Sequence, residues 1–189
     1  MTGEHRHPQQ QNGAQKLPGL IKQTLTALAL AALLLPSYAA AQPKETTKAT
    51  FGDWEIRCPP EDSDRCVMVQ IGKTDNGENA IEIRVSKLED AKTRDEKAMP
   101  AVARIVTLFR AVTIVRLGLR MKVDSAEERL APYRFCLRSG CVAQFPLSED
   151  FLTRLKLGNI MAVTFAMLKQ GEVTATVSLR GFTKAFKSL

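Results

Sequence analysis

The sequence predicts a mainly β, antiparallel sandwich carrying one short helix at about residues 148–157, and three observations lead there. The chain offers eight or nine short strand-like stretches, the clearest of which, at 51–58 and 80–88, alternate apolar with polar residues at a period of two, as strands with one dry and one wet face do. Turn-forming residues separate these stretches. Only one stretch has the capping residue, early acids, apolar stripe and closing glycine of a helix.

Ahead of those elements stands the uncharged run LTALALAALLL at residues 25–35, preceded by Lys16 and Lys22 and followed by Pro36, Ser37 and Ala39-Ala40-Ala41. This predicts a secretory signal peptide, residues 1–41, cleaved after Ala41, with cleavage after Ala39 the alternative. The run is shorter than the roughly 20 apolar residues a membrane-crossing helix needs, so no transmembrane span is expected in the mature form. Cleavage would remove the only histidines, His5 and His7, and lower the formal charge from +7 to +5. A chain of the remaining length can bury about 68–70% of its unfolded surface, enough for one core. Residues 42–49 are expected as a flexible polar tail and residues 50–189 as a single domain.

Within that domain, Trp54 and Ile56 alternate with Asp53, Glu55 and Arg57, and Trp54 is read as core. Residues 66–71 are valine-rich, and Asp75-Asn76-Gly77 turns them into a second strand, where Ile81, Ile83 and Val85 alternate with Glu82, Arg84 and Ser86. Residues 89–97 are charged and predicted as an exposed loop. The stretch 101–123 divides into strands near 104–109 and 117–123, the second presenting Leu119, Met121 and Val123 on one face. Residues 133–137 and 141–145 flank Arg138-Ser139-Gly140 as a tight hairpin. Ser148, Glu149 and Asp150 start the helix, Phe151, Leu152 and Leu155 form its stripe, and Gly158 stops it. Residues 160–168 and 173–179 are the last strands, and 181–187 is a short amphipathic turn that packs Phe182 and Phe186 onto the sandwich.

Four cysteines lie past the leader, and an even number in an exported chain predicts disulfides. Of three possible pairings the local ones are favoured, Cys58 with Cys66 and Cys136 with Cys141, because each pair brackets a short polar turn between strand-like runs. Loops this short contribute about 2 to 2.6 kcal/mol each on the chain-entropy model. Seven and four intervening residues do not match the two-residue spacing of zinc ribbons, so no metal site is expected.

Taken together, Gly52-Asp53-Trp54 before Cys58, Cys66-Val67-Met68-Val69-Gln70, Phe135-Cys136-Leu137 with Gly140-Cys141-Val142-Ala143, and Gly181-Phe182 with Phe186 resemble the invasion-associated locus B family of alphaproteobacterial exported proteins. The resemblance covers residues 50–187. It implies a small periplasmic or surface-associated sandwich of immunoglobulin-like architecture with two local disulfides. Some members are linked to bacterial entry into host cells, and no catalytic residues carry over. One departure is the run Val112 to Gly118, which lacks proline where a Gly/Pro-rich turn is expected.

Function is approached by elimination. Without histidine in the mature chain there is no imidazole for triads or His-ligated zinc. No serine starts a Ser-x-x-Lys or sits in Gly-x-Ser-x-Gly, and Glu78 stands where the P-loop spacing from Gly72 and Gly77 requires lysine. The nominal carboxylate pairs, Asp53 with Glu55 and Glu127 with Glu128, are equally well explained as charged strand faces. The expectation is a protein that is not an enzyme, with no catalytic residue and no cofactor. It would be a periplasmic or surface-associated binding module for an envelope or host protein. The alternative is a basic envelope-associating structural protein. Arg104, Arg110, Arg116, Arg120 and Lys122 form an acid-free run whose surface would attract anionic lipid or glycan. Nucleic acid is not an expected partner, because that run lacks interleaved aromatics and export separates the chain from DNA.

Overall fold

In this computed structural model the described residues are 45–62, 65–89, 91–92, 98–109 and 113–189. Arg110, the residues of the leader and most of the 89–97 loop fall outside them. Eleven strands form one antiparallel sheet: β1 (Thr46–Phe51), β2 (Trp54–Cys58), β3 (Val67–Lys73), β4 (Asn79–Lys87), β5 (Ala101–Thr107), β6 (Leu119–Val123), β7 (Arg129–Ala131), β8 (Tyr133–Leu137), β9 (Gly140–Leu147), β10 (Ile160–Met167) and β11 (Gly171–Ser178). The expected helix is α1 (Glu149–Leu157), and α2 (Phe182–Lys187) follows β11. A single 3₁₀ turn, Val115–Leu117, precedes β6.

The sheet runs β7-β6-β10-β11-β3-β4-β5-β9-β8, with β1 and β2 branching from β3. Its two ends, β7 and β8, are consecutive in the chain and separated only by Pro132. Proline has no N–H to give a ladder. The segment therefore pairs first with β6 on one side, through Leu119 opposite Ala131, and after Pro132 with β9 on the other. This change of partner curls the sheet into a nearly closed barrel, so the two layers expected of a sandwich are opposite walls of one ladder.

Alternation decides the core. Every second residue of β4 and β5, from Ile81 to Val85 and from Ala101 to Ile105, is buried, and Leu119, Met121 and Val123 face inward as expected. Inside, Trp54, Phe165, Phe182, Met68 and Leu155 are fully enclosed. Helix α1 covers one side with Phe151, Leu152 and Leu155, and its first turn is capped by the Ser148 hydroxyl, which accepts from the Phe151 N–H at 3.3 Å.

One expectation is corrected here. Residues 46–49, read as part of the tail, begin β1, because Thr46 and Thr47 pair with Cys58 and Arg57 through backbone bonds that need no apolar side chain. Gly158 closes α1 as expected, in extended backbone with φ −78°. A Cβ there would stand 2.5 Å from Val123 Cγ1, so what the position requires is absence of bulk.

Candidate interaction surface

The two ends of the domain lock together. Gly52 has φ +61° and Gly181 φ +88°, and a Cβ on either would stand 2.4 Å from the Arg180 carbonyl oxygen or 2.0 Å from that of Phe51. Only glycine accepts both the conformation and the approach. The Asp53 N–H then donates to the Arg180 carbonyl at 3.1 Å, and the Arg180 guanidinium grips the Asp53 carboxylate in a fork of 2.6 and 3.0 Å. Arg180, with help from the Ser178 hydroxyl, holds the Asp53 carboxyl below its usual pKa. Trp54 donates from its ring nitrogen to the Ser178 carbonyl at 3.0 Å and meets Phe182 edge to face, with ring centres 5.1 Å apart. Phe186 stacks on Phe182 and is covered by the ammonium groups of Lys156 and Lys87, 4.9 and 5.4 Å from its ring.

Gln70 completes the lock. Strand β3 pairs with β2 through Val67, Met68 and Val69 and with β11 only through Lys73 opposite Thr176. Where β2 and β11 part, the buried Gln70 carboxamide replaces a strand neighbour: its nitrogen donates to the Ser178 carbonyl at 2.9 Å and its oxygen accepts the Ser178 N–H at 2.8 Å. Above this seam is an open groove of about 420 Å³ between Glu55 and Arg57 on one wall and Thr176 and Ser178 on the other. Two of its charges pair with each other, Arg57 lying 2.9 Å from Glu55, and Arg57 also lies 3.9 Å from Glu82.

A second groove, of about 500 Å³, has the opposite character. It lies on the outer face of β5, β9 and β8, where Val102 faces Pro146 across the ladder and Leu88, Met99, Phe135 and Phe145 complete an apolar lining. Phe135 and Leu137 remain 49% and 50% exposed. The register of β8 shifts between Tyr133 and Phe135, so Arg134 and Phe135 both line the groove, and Arg134 donates to the Gln144 carbonyl at 3.4 Å. Pro146 sits on β9 beyond the last β8 pair, where its missing N–H leaves no rung unmade. The hairpin is held by Cys136–Cys141, a directly cross-strand pair, and by Gly140, whose Cβ would collide with the Thr107 carbonyl oxygen at 2.0 Å. Cys58–Cys66 ties the last residue of β2 to the residue just before β3, so both disulfides follow the local pairing. At the base of β8 the Tyr133 hydroxyl is enclosed, and burial pushes its pKa up to about 12.

The basic run is not gathered onto one face. Arg104 lies on β5 opposite Arg84 of β4 and Gln144 of β9. Arg120 and Lys122 lie on β6, which is separated from β5 by β10, β11, β3 and β4 along the sheet. Arg120 is tied to Glu172 at 2.5 Å and Glu128 at 3.7 Å, Arg116 is exposed in the 3₁₀ turn, and Arg110 is outside the described residues. Of the nominal carboxylate pairs, Asp53 is bound to Arg180, Glu55 to Arg57 and Glu128 to Arg120. Among the described residues no three metal-ligating side chains converge.

With that geometry established, the comparisons with known proteins decide the family. Residues 54–189 match the model for the Invasion associated locus B (IalB) protein. The chain belongs to the IalB family. No curated protein sequence matches it. Among solved structures, the crystal structure of invasion associated protein B from Bartonella henselae superposes with a TM-score of 0.56 at 19% sequence identity, covering 74% of this chain and 93% of that one, a likeness of fold. In this IalB-family chain the motif residues Gly52, Asp53, Trp54, Gln70, Gly181, Phe182 and Phe186 all belong to the lock, whereas the apolar groove draws mainly on residues outside the motifs. Sequence reasoning missed Arg134, Val102, Met99 and Pro146 as one surface. The signal open to it was the stretch 133–147, which carries two arginines, several large apolar residues and no acid.

Proposed function

We propose that this IalB-family chain is an exported, non-enzymatic interaction module that meets a protein of the envelope or of a host surface through the outer face of β5, β9 and β8. One observation carries the reading. That face presents a groove lined by Leu88, Met99, Val102, Phe135 and Pro146, with Phe135 half exposed, whereas the outer ladder of β6, β10 and β11 presents Arg120, Lys122, Thr164 and Thr174. A contiguous apolar patch rimmed by polar residues marks an interaction site. Export is supported by the two disulfides, since oxidised cysteine pairs persist outside the cytosol. Among the described residues no helix is long and apolar enough to cross a membrane.

Photo-crosslinking tests the reading. Phe135→p-benzoyl-phenylalanine in the native envelope is expected to yield a discrete adduct of higher mass, and the same replacement at Thr174 is expected to yield none. Equal labelling at the two positions, or none at 135, removes the proposal.

A further inference from the structure

We infer that the free edge of β8 is a strand-addition site. There an extended, acidic segment of a partner polypeptide pairs with β8 through main-chain hydrogen bonds and lays alternate apolar side chains into the neighbouring groove. This rests on the reading of the β5–β9–β8 face as the interaction surface and adds the partner's conformation and charge.

The edge comes first. Among the described residues β8 is hydrogen-bonded to β9 alone, and β6, which pairs with β10 on its other side, takes only residues 129–131 of this segment. Four of the five β8 residues are exposed. An antiparallel strand turns the N–H and C=O of alternate residues away from its partner, so a one-sided strand presents a row of such groups to an incoming chain. Proteins blunt edges of this kind with shortness, proline or inward charge. The opposite edge, β7, is three residues long and ends at Pro132. β8 has five residues, carries the exposed Phe135 and Leu137, and is held extended by Cys136–Cys141 before any partner arrives. Preorganisation of this kind removes part of the ordering cost of binding.

Charge selects the occupant. The hairpin 133–147 contains Arg134 and Arg138 and no acidic residue. Neither arginine makes an ion pair with a described residue, and neither does Arg104 on the adjoining strand. A second copy of this chain pairing β8 against β8 would bring four guanidinium groups together without a counter-charge. A segment with glutamate or aspartate between its apolar residues supplies what both copies lack. Main-chain pairing would give affinity, and the groove would select the side chains.

The test is a titration of the isotopically labelled, disulfide-bonded protein with acetyl-Glu-Val-Glu-Val-Glu-Val-Glu-amide, read by amide shifts and hydrogen exchange. Amides of residues 133–137 are expected to shift and to exchange more slowly. Replacing the glutamates with lysine, or N-methylating alternate peptide nitrogens on the pairing edge, is expected to weaken binding about 10-fold or more, as loss of charge attraction or of two hydrogen bonds would. Joint Arg134→Gln and Arg138→Gln substitution is expected to weaken it about 3- to 10-fold, the range of two exposed ion pairs.

Four results would each overturn strand addition: no perturbation of β8 at millimolar peptide, equal binding of the lysine peptide, undiminished binding of the N-methylated peptide, or a concentration-dependent dimer that protects β8. Binding to phosphatidylglycerol vesicles that is lost in the double glutamine variant would overturn it in favour of lipid. If the photo-adduct at Phe135 persists in any of these cases, the interaction face stands and only its strand-pairing mode falls.

Discussion

The seam where β2 and β11 part from each other on β3 and the edge at β8 are both interruptions of the ladder, and the chain treats them in opposite ways. At the seam the principal polar groups have internal partners: Gln70 holds Ser178, Arg180 holds Asp53, and Arg57 holds Glu55. At the edge, among the described residues, the backbone is left one-sided and Arg134 and Arg138 have no carboxylate partner, and the neighbouring groove is largely apolar. The contrast separates residues that hold the fold from residues offered outward. It also separates the residues carrying the family resemblance: Gly52, Asp53, Trp54, Gln70, Gly181, Phe182 and Phe186 belong to the lock and say little about a partner, whereas Phe135-Cys136-Leu137 and Gly140-Cys141 lie on the β8–β9 hairpin.

Breaking the lock has the largest expected effect. Trp54→Ala removes a fully buried indole and its bond to Ser178 and is expected to cost about 3–5 kcal/mol or to prevent folding, read by circular dichroism in a urea series. Next is Gln70→Ala, which leaves the Ser178 N–H without its acceptor and the Ser178 carbonyl with the Trp54 donor alone, and should cost about 1–3 kcal/mol. Joint Cys136→Ser and Cys141→Ser substitution is expected to cost about 2 kcal/mol on the loop-entropy model and to accelerate hydrogen exchange across residues 133–137 more than across β10, which ties the staple to the edge.

Smaller effects sharpen the same contrast. The folded-state pKa of Asp53 is depressed, so its stabilisation is present above the unfolded carboxyl value and is lost as pH falls through the folded one. Acid titration should show a loss of less than about 1 kcal/mol below about pH 4, because Arg180 is largely exposed, and Asp53→Asn should remove that part of the profile. Phe135→Ser should change stability least, by no more than about 0.5 kcal/mol, while abolishing the peptide shifts at β8. A large stability loss in that variant would show that the ring is packed rather than offered.

Much of this arrangement can be read from the amino-acid order. Period-two alternation locates β2, β4 and β6, Ser148 marks the start of α1, and short polar turns between strand-like runs select the cysteine pairs. Phe182 and Phe186 pack inward as their spacing suggests. What escapes has physical causes. β1 is polar, with a backbone held by β2 rather than by apolar side chains, so nothing in its composition distinguishes it from a tail. The basic stretch between residues 104 and 122 is continuous in sequence, but β5 and β6 are not sheet neighbours, and strand order is not encoded in a run of charge. The groove depends on a one-residue register shift at Arg134, which leaves no composition signal.

The bond from Trp54 to Ser178 spans 124 positions, and the ring that covers the indole comes from Phe182, within the final eight residues. A polypeptide emerging N-terminus first must therefore hold its largest aromatic uncovered until the segment around Ser178 and Phe182 is free. Closure of the interior waits on that segment, and a chain cut before Ser178 would leave the indole without its acceptor and without its covering ring.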